Sequence, residues 1–79
     1  MAKPATPANV IREVLARTCG RPVRDSETLA ADLDLDPAER AELLVALELA
    51  LRCEARDIQL TGDVTVADLI EILKKRAAA

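Results

Sequence analysis

The chain has 79 residues, a formal net charge of −3, and no Phe, Tyr, Trp or His. A chain of this length forms one domain with a thin stability margin, because small domains bury a modest fraction of their surface. Without aromatic residues the core must consist of Leu, Val, Ile and Ala, and this composition favours packed helices over a sheet. Without His, the cysteines Cys19 and Cys53 cannot form a zinc site or a Cys–His nucleophile, and we interpret them as free thiols.

Charge is distributed unevenly along the chain. Residues 1–24 carry a formal charge of +4, residues 25–48 carry −7, and residues 49–79 carry 0. The acidic middle argues against a nucleic-acid partner, because phosphate binding needs a basic face. We therefore expect a protein partner with a basic surface.

The N-terminal sequence and the hydropathy pattern bear on localisation. No apolar run approaches the roughly 20 residues that a membrane span needs, and the N-terminus lacks the apolar segment of a signal peptide. We expect a cytoplasmic protein without a membrane span. Its expected organisation is a flexible tail over residues 1–6 and a single helical domain over residues 7–76.

The first predicted helix covers residues 7–19. Thr6 is a suitable N-cap, Pro7 suits the first helical position, and Gly20 provides a C-terminal stop. A long loop, residues 20–36, follows, with one helical turn predicted near residues 29–33. Four isolated apolar side chains should attach this loop to the core, namely Val23, Leu29, Leu33 and Leu35.

The second predicted helix, residues 37–52, has the clearest pattern. Asp36 is a good N-cap, Pro37 needs no partner for an N–H in the first turn, and Glu39 completes the spacing of a capping box. The buried stripe of this helix should consist of Leu43, Leu44, Leu47 and Leu51.

A short helix is predicted over residues 54–60, ended by Gly62, and a last helix follows Thr65, with Asp68 completing a second capping pattern. The predicted core combines eight residues from the three long helices, namely Val14, Leu15, Leu43, Leu47, Leu51, Leu69, Ile70 and Leu73.

Two stretches carry a resemblance to a known family: "DLDLDPAERAELLVALE", residues 32–48, and "TVADLIEIL", residues 65–73. They resemble the acyl carrier protein family. The positions that match the family pattern are Asp32, Leu33, Asp36, Glu42, Leu43, Ala46, Leu47 and Glu48. The resemblance implies an all-α, four-helix acyl-carrier-like bundle with three long helices, one short helix, and a long loop between helices one and two. It also implies a role in fatty acid, polyketide or related biosynthesis.

The chain departs from the family at the cofactor site. Carriers attach phosphopantetheine to a serine at the position of Pro37, next to Asp36, and proline has no hydroxyl for a phosphodiester. Asp34 replaces a family glycine, and Ala38 replaces a family leucine. We therefore expect no cofactor at Pro37, and phosphopantetheine only if it is attached elsewhere. Ser26 is the one serine of the chain and the alternative attachment site.

The outer side of the second helix is the candidate docking surface. Helical geometry places Ala38, Ala41, Glu42, Val45 and Leu49 roughly opposite Leu47, and therefore in water. Val45 and Leu49 would form an apolar strip beside Glu42 and Glu48, and the family uses this helix face for partner recognition. The alternative is a scatter of surface aliphatic residues without a function.

Two further patterns suggest chemistry. Asp32, Asp34 and Asp36 imitate the start of a calcium loop, but the loop's glycine and its glutamate at the twelfth position are missing. Asp36 and Glu39 could be a catalytic carboxylate pair, yet capping explains both residues, and we expect no enzyme activity.

These observations leave three hypotheses about function. The first is a monomeric, carrier-like binding module without the prosthetic group, which docks carrier-handling enzymes or another protein through the second helix. The second is a genuine acyl or aminoacyl carrier modified at Ser26. The third is a structural helical domain that self-assembles through Val45 and Leu49.

Overall fold

The structure, a computed structural model, describes residues 6–78. These residues form three helices, which are α1 (Pro7–Cys19), α2 (Pro37–Leu51) and α3 (Val66–Ala78), and none of them lies in a named strand. The all-α class is confirmed. Of the predicted tail, residues 1–5 lie outside the described part of the chain. Within residues 6–78, no helix combines the length and apolar character needed to cross a membrane.

Side chains just before α1 and α3 determine where these helices begin. Thr6 Oγ1 accepts a hydrogen bond from the Asn9 amide at 3.2 Å. Before α3, Thr65 Oγ1 accepts from the Asp68 amide at 3.1 Å, and the Asp68 carboxylate accepts from the Thr65 amide at 3.2 Å. These bonds satisfy amides that have no partner within the helix. At the end of α1, Gly20 adopts a left-handed φ of 72°, as predicted for a glycine stop.

The prediction of a four-helix bundle is wrong, because residues 54–60 form turns rather than a short helix. The backbone of this segment bonds to side chains of the neighbouring helices. The Ala55 amide donates to Glu48 Oε2 at 2.9 Å, and the Glu54 carbonyl accepts from Arg76 Nη1 at 3.3 Å. Since α2 and α3 satisfy these groups, the segment does not need the hydrogen bonds of its own helix.

The long loop between α1 and α2 is anchored to the core as predicted, but residues 29–33 form turns instead of a helical turn. Leu29, Leu33 and Leu35 are buried. The loop also pairs with the segment before α3, where the Ala30 amide donates to the Gly62 carbonyl at 3.0 Å. A side chain at position 62 would not fit, because its Cβ would lie 2.6 Å from the Ala30 Cβ.

One apolar core joins the three helices and the loop. Helix α1 packs against both α2 and α3, which have few direct contacts with each other. Six of the eight predicted core residues are buried, whereas Val14 and Leu51 are partly buried at its edge. The core also contains buried residues that the core prediction did not include, namely Ile11, Leu29, Leu33, Leu35, Leu44, Ala55 and Val66.

Candidate functional site

The N-terminal end of α2 is closed by a complete capping box. Asp36 Oδ1 accepts from the Glu39 amide at 2.7 Å, and Glu39 Oε1 accepts from the Asp36 amide at 3.1 Å. Pro37 is the first helical residue, and all three residues are exposed. Pro37, which the resemblance places at the cofactor serine of acyl carriers, is therefore accessible to solvent.

Asp34 has an unusual backbone conformation just before this cap. Its φ is 56°, in the left-handed region that favours glycine. The resemblance to acyl carriers places a glycine at this position. The loop that leads into α2 therefore has, at Asp34, a backbone conformation that glycine adopts more readily than other residues.

Two of the three aspartates that imitate a calcium loop, Asp32 and Asp36, have other roles. Asp32 Oδ2 accepts from the Thr28 amide at 2.7 Å and from Thr28 Oγ1 at 3.1 Å. The Asp36 carboxylate caps α2. In the part of the chain that the structure describes, no cluster of three or more Asp, Glu, Cys or His residues could hold a metal ion. The carboxylates of Asp32, Asp36 and Glu39 thus already make structural hydrogen bonds. A role as a calcium ligand or as a catalytic pair would have to replace or share these bonds.

Ser26, the alternative attachment site, lies exposed in a turn of the long loop. The preceding residue, Asp25, accepts hydrogen bonds from Arg12 Nε at 2.9 Å and Arg12 Nη2 at 2.8 Å, which tie this turn to α1. The bond from Arg12 lowers the pKa of the Asp25 carboxyl. Ser26 is accessible, and its modification stays a prediction.

The outer face of α2 is exposed as predicted. The side chains of Val45 and Leu49 are 52% and 76% exposed, whereas Leu47 on the opposite side is 0% exposed. The other predicted members of this face are also exposed, namely Ala38, Ala41 and Glu42. The helix is therefore apolar on two opposite sides, and an amphipathic surface helix normally has one apolar side.

Glu48, the remaining predicted docking residue, has a structural role. Its side chain is only 12% exposed, and it lies 3.5 Å from Arg56 through Oε1 while Oε2 accepts from the Ala55 amide. The carboxylate holds the segment after α2 in place. A direct contribution of Glu48 to docking stays a prediction.

A groove of about 900 Å³ adjoins the exposed strip at the C-terminal end of α2. Val45 and Leu49 line it together with charged residues of the following segment and of α3. Among these, Arg76 donates to both oxygens of Asp57, at 2.7 and 2.8 Å, and these bonds lower the pKa of the Asp57 carboxyl. No local sequence pattern indicates this pair, because Arg76 and Asp57 are 19 residues apart in the chain.

Arg40 is a residue whose role sequence analysis missed. Its guanidinium donates to the Leu35 carbonyl at 2.7 Å and to the Leu60 carbonyl at 2.8 Å. These bonds join the loop before α2 to the segment before α3. The signal was present, because Arg40 precedes Leu43 and Leu47 by three and seven residues and so belongs to the inner side of α2.

The two cysteines are free thiols, as predicted, and both are partly buried. Burial raises the pKa of the Cys19 thiol, so this group stays protonated at neutral pH. Cys19 therefore adds no reactive thiolate to the surface described above.

No protein-family model matches the chain, and no solved structure gives a significant match. The resemblance to acyl carriers thus depends on the residues quoted above.

Proposed function

We propose that the protein is a carrier-like binding module without a prosthetic group at position 37. Its partner is a carrier-handling enzyme or another protein with a basic surface, and it docks through α2 and the loop before it. The observation that carries the proposal is the exposed pair Val45 and Leu49 beside Glu42. This pair lies on the helix whose N-terminal sequence matches the attachment region of carriers.

Two physical contributions support docking at this face. Full burial of Val45 or Leu49 against a partner would contribute roughly 1.5–3 kcal/mol for each side chain. The acidic segment, residues 25–48 with a formal charge of −7, would attract a basic partner before contact. Apolar contact would then determine how long the complex lasts, and charge would determine how fast it forms.

Pro37 supports a role in binding rather than in transfer. Proline has the φ that the first helical position requires and lacks only an N–H that would have no partner there. The helix can therefore begin normally, while the hydroxyl needed for attachment is missing. A module of this kind would present the docking face of a carrier without holding an acyl group at this position.

The test is a measurement of binding kinetics with a phosphopantetheinyl transferase as the candidate partner, at about 0.1 M and about 1 M salt. Glu42→Lys should slow association at the lower salt concentration and have little effect at the higher one, because salt shortens the screening length. Val45→Asp should hasten dissociation at both salt concentrations.

Matched controls lie on α3, away from the proposed face. Glu71→Lys changes the net charge as Glu42→Lys does, and Ile72, which is 36% exposed, provides the control Ile72→Asp. Both controls should bind like the parent. If Glu42→Lys and Val45→Asp also bind like the parent, α2 is not the docking face and the proposal fails.

A further inference from the structure

Four residues form a regular stripe on the outer face of α2 and at its C-terminal cap. Glu42, Val45, Leu49 and Arg52, here called the α2 stripe, are all exposed and follow one another at intervals of three, four and three residues. This is the spacing with which helices pack in coiled coils. The stripe lies opposite the buried Leu47, so it is free to contact a second helix.

The α2 stripe is self-complementary. It begins with an acid, Glu42, has two aliphatic residues in the middle, and ends with a base, Arg52. If two such helices pack antiparallel about a two-fold axis near residue 47, Glu42 of each copy lies opposite Arg52 of the other. Val45 then lies opposite Leu49. A parallel arrangement would instead place like charges together.

The charged ends of the stripe have no partner within the described chain. Neither Glu42 nor Arg52 belongs to any of the salt bridges among residues 6–78. Arg52 also has a φ of 53°, at a helix C-cap where glycine costs least. A long cationic side chain therefore occupies a backbone position that disfavours it and makes no ion pair within its own chain.

We propose that two copies of the chain pair antiparallel through the α2 stripe, with two Glu42–Arg52 contacts around a Val45–Leu49 centre. The flanking residues on α2 are small and would allow the helices to approach closely, namely Ala38, Ala41, Ala46 and Ala50. A two-fold pair is the simplest closed assembly for a self-complementary surface.

This inference goes beyond the proposed function, although it uses the same face. A single helix pair is a small interface, so the dimer should be weak and form only at high protein concentration. In dilute solution the chain remains the monomer expected from the sequence. Pairing covers Val45 and Leu49. A docking partner therefore competes with the second copy, and self-association lowers the fraction of chain available to bind.

Sedimentation equilibrium of the full chain, without any partner enzyme, tests the inference. Between about 10 µM and about 1 mM, the average mass should rise from that of the monomer toward twice that value. Glu42→Arg and Arg52→Glu should each raise the dissociation constant about tenfold or more, because each places like charges opposite one another. An equimolar mixture of these two variants should associate again, since both charge pairs are then restored.

The controls separate the stripe from net charge and from folding. Glu71→Arg and Arg17→Glu make the same changes of net charge at exposed sites on α3 and α1, and should leave the dissociation constant unchanged. Recovery in the mixture shows that both stripe variants are folded. Leu49→Asp should abolish the dimer while the circular dichroism spectrum stays that of the parent.

Several results would overturn the inference. These are a parent that remains monomeric at about 1 mM, stripe variants that associate like the parent, or a mixture that does not recover. The sedimentation measurement contains no partner enzyme, so its result does not depend on docking. A parent that fails to dimerise but binds the transferase removes this inference alone. A parent that dimerises at high concentration, but does not bind the transferase when it is diluted to the monomer, removes the docking proposal alone.

Discussion

The inner and outer faces of α2 both contain aliphatic residues, which are buried on the inner face and exposed to solvent on the outer face. On the inner face, Leu43, Leu44 and Leu47 are at most 8% exposed. On the outer face, Val45 and Leu49 are 52% and 76% exposed. The inner leucines are explained by the core, because they belong to one buried cluster with residues of α1 and of the long loop. The outer pair contributes little to that core, so the fold alone does not account for these two residues.

The largest expected difference in stability is between two variants that each truncate one leucine, on opposite faces of α2. Leu47→Ala should lower the free energy of unfolding by about 2–5 kcal/mol, because it removes buried methyl groups and leaves a cavity. Leu49→Ala should change it by less than about 0.5 kcal/mol. Urea denaturation of dilute protein measures both. Equal losses for the two variants would mean that the faces do not differ as described.

Replacing Arg52, at the C-terminal end of the outer face, should change the free energy of unfolding by a smaller amount and in the opposite direction. Arg52 and Gly20 both follow a helix with a left-handed φ, of 53° and 72° respectively. Arg52→Gly should therefore stabilise the dilute protein by about 0.5–1 kcal/mol, and Gly20→Arg should destabilise it by about the same amount. Thermal unfolding measures both variants. A loss of stability in Arg52→Gly would show that the arginine side chain contributes to folding as well as to the surface.

The smallest expected effect concerns pH and the exposed ion pair beside the groove. Arg76 lowers the pKa of Asp57 in the folded chain, so the folded state binds fewer protons at this site than the unfolded state. The stabilisation is complete above the unfolded pKa of about 4 and is lost as pH falls through the lower folded pKa. Asp57→Asn should therefore show a weaker loss of stability below about pH 4 than the parent. Identical pH profiles would exclude a contribution from this pair.

Local patterns made the three long helices predictable. Capping residues such as Thr6, Asp36 and Thr65 act within one turn, and the leucines of α2 repeat at helical spacing, so neighbouring residues carry the information. The short helix at residues 54–60 was predicted wrongly because its backbone partners come from distant residues. Glu48 and Arg76 bond to this segment from α2 and α3, and no local pattern reports such contacts.

For the candidate site too, features set by helix geometry could be predicted from the sequence, and contacts with distant residues could not. The exposure of Val45 and Leu49 follows from the angle between residues on a helix, and the structure confirms it. The commitment of Glu48 to the Ala55 amide depends on how the chain folds back after α2, and sequence alone does not show it. The role of Arg40 was predictable in part. Helical spacing places it on the inner face of α2, but the sequence does not show that its guanidinium bonds to the Leu35 and Leu60 carbonyls.

The most direct test of the carrier-like interpretation restores the missing hydroxyl. Pro37→Ser recreates an Asp-Ser sequence at the exposed head of α2, and serine fits the first helical turn. The measurement is intact mass after incubation with coenzyme A and a promiscuous phosphopantetheinyl transferase, with Ser26→Ala as a second variant. We predict that Pro37→Ser gains one phosphopantetheine group, whereas the parent and Ser26→Ala do not. A folded Pro37→Ser protein that stays unmodified, or a parent that is modified at Ser26, would contradict this interpretation.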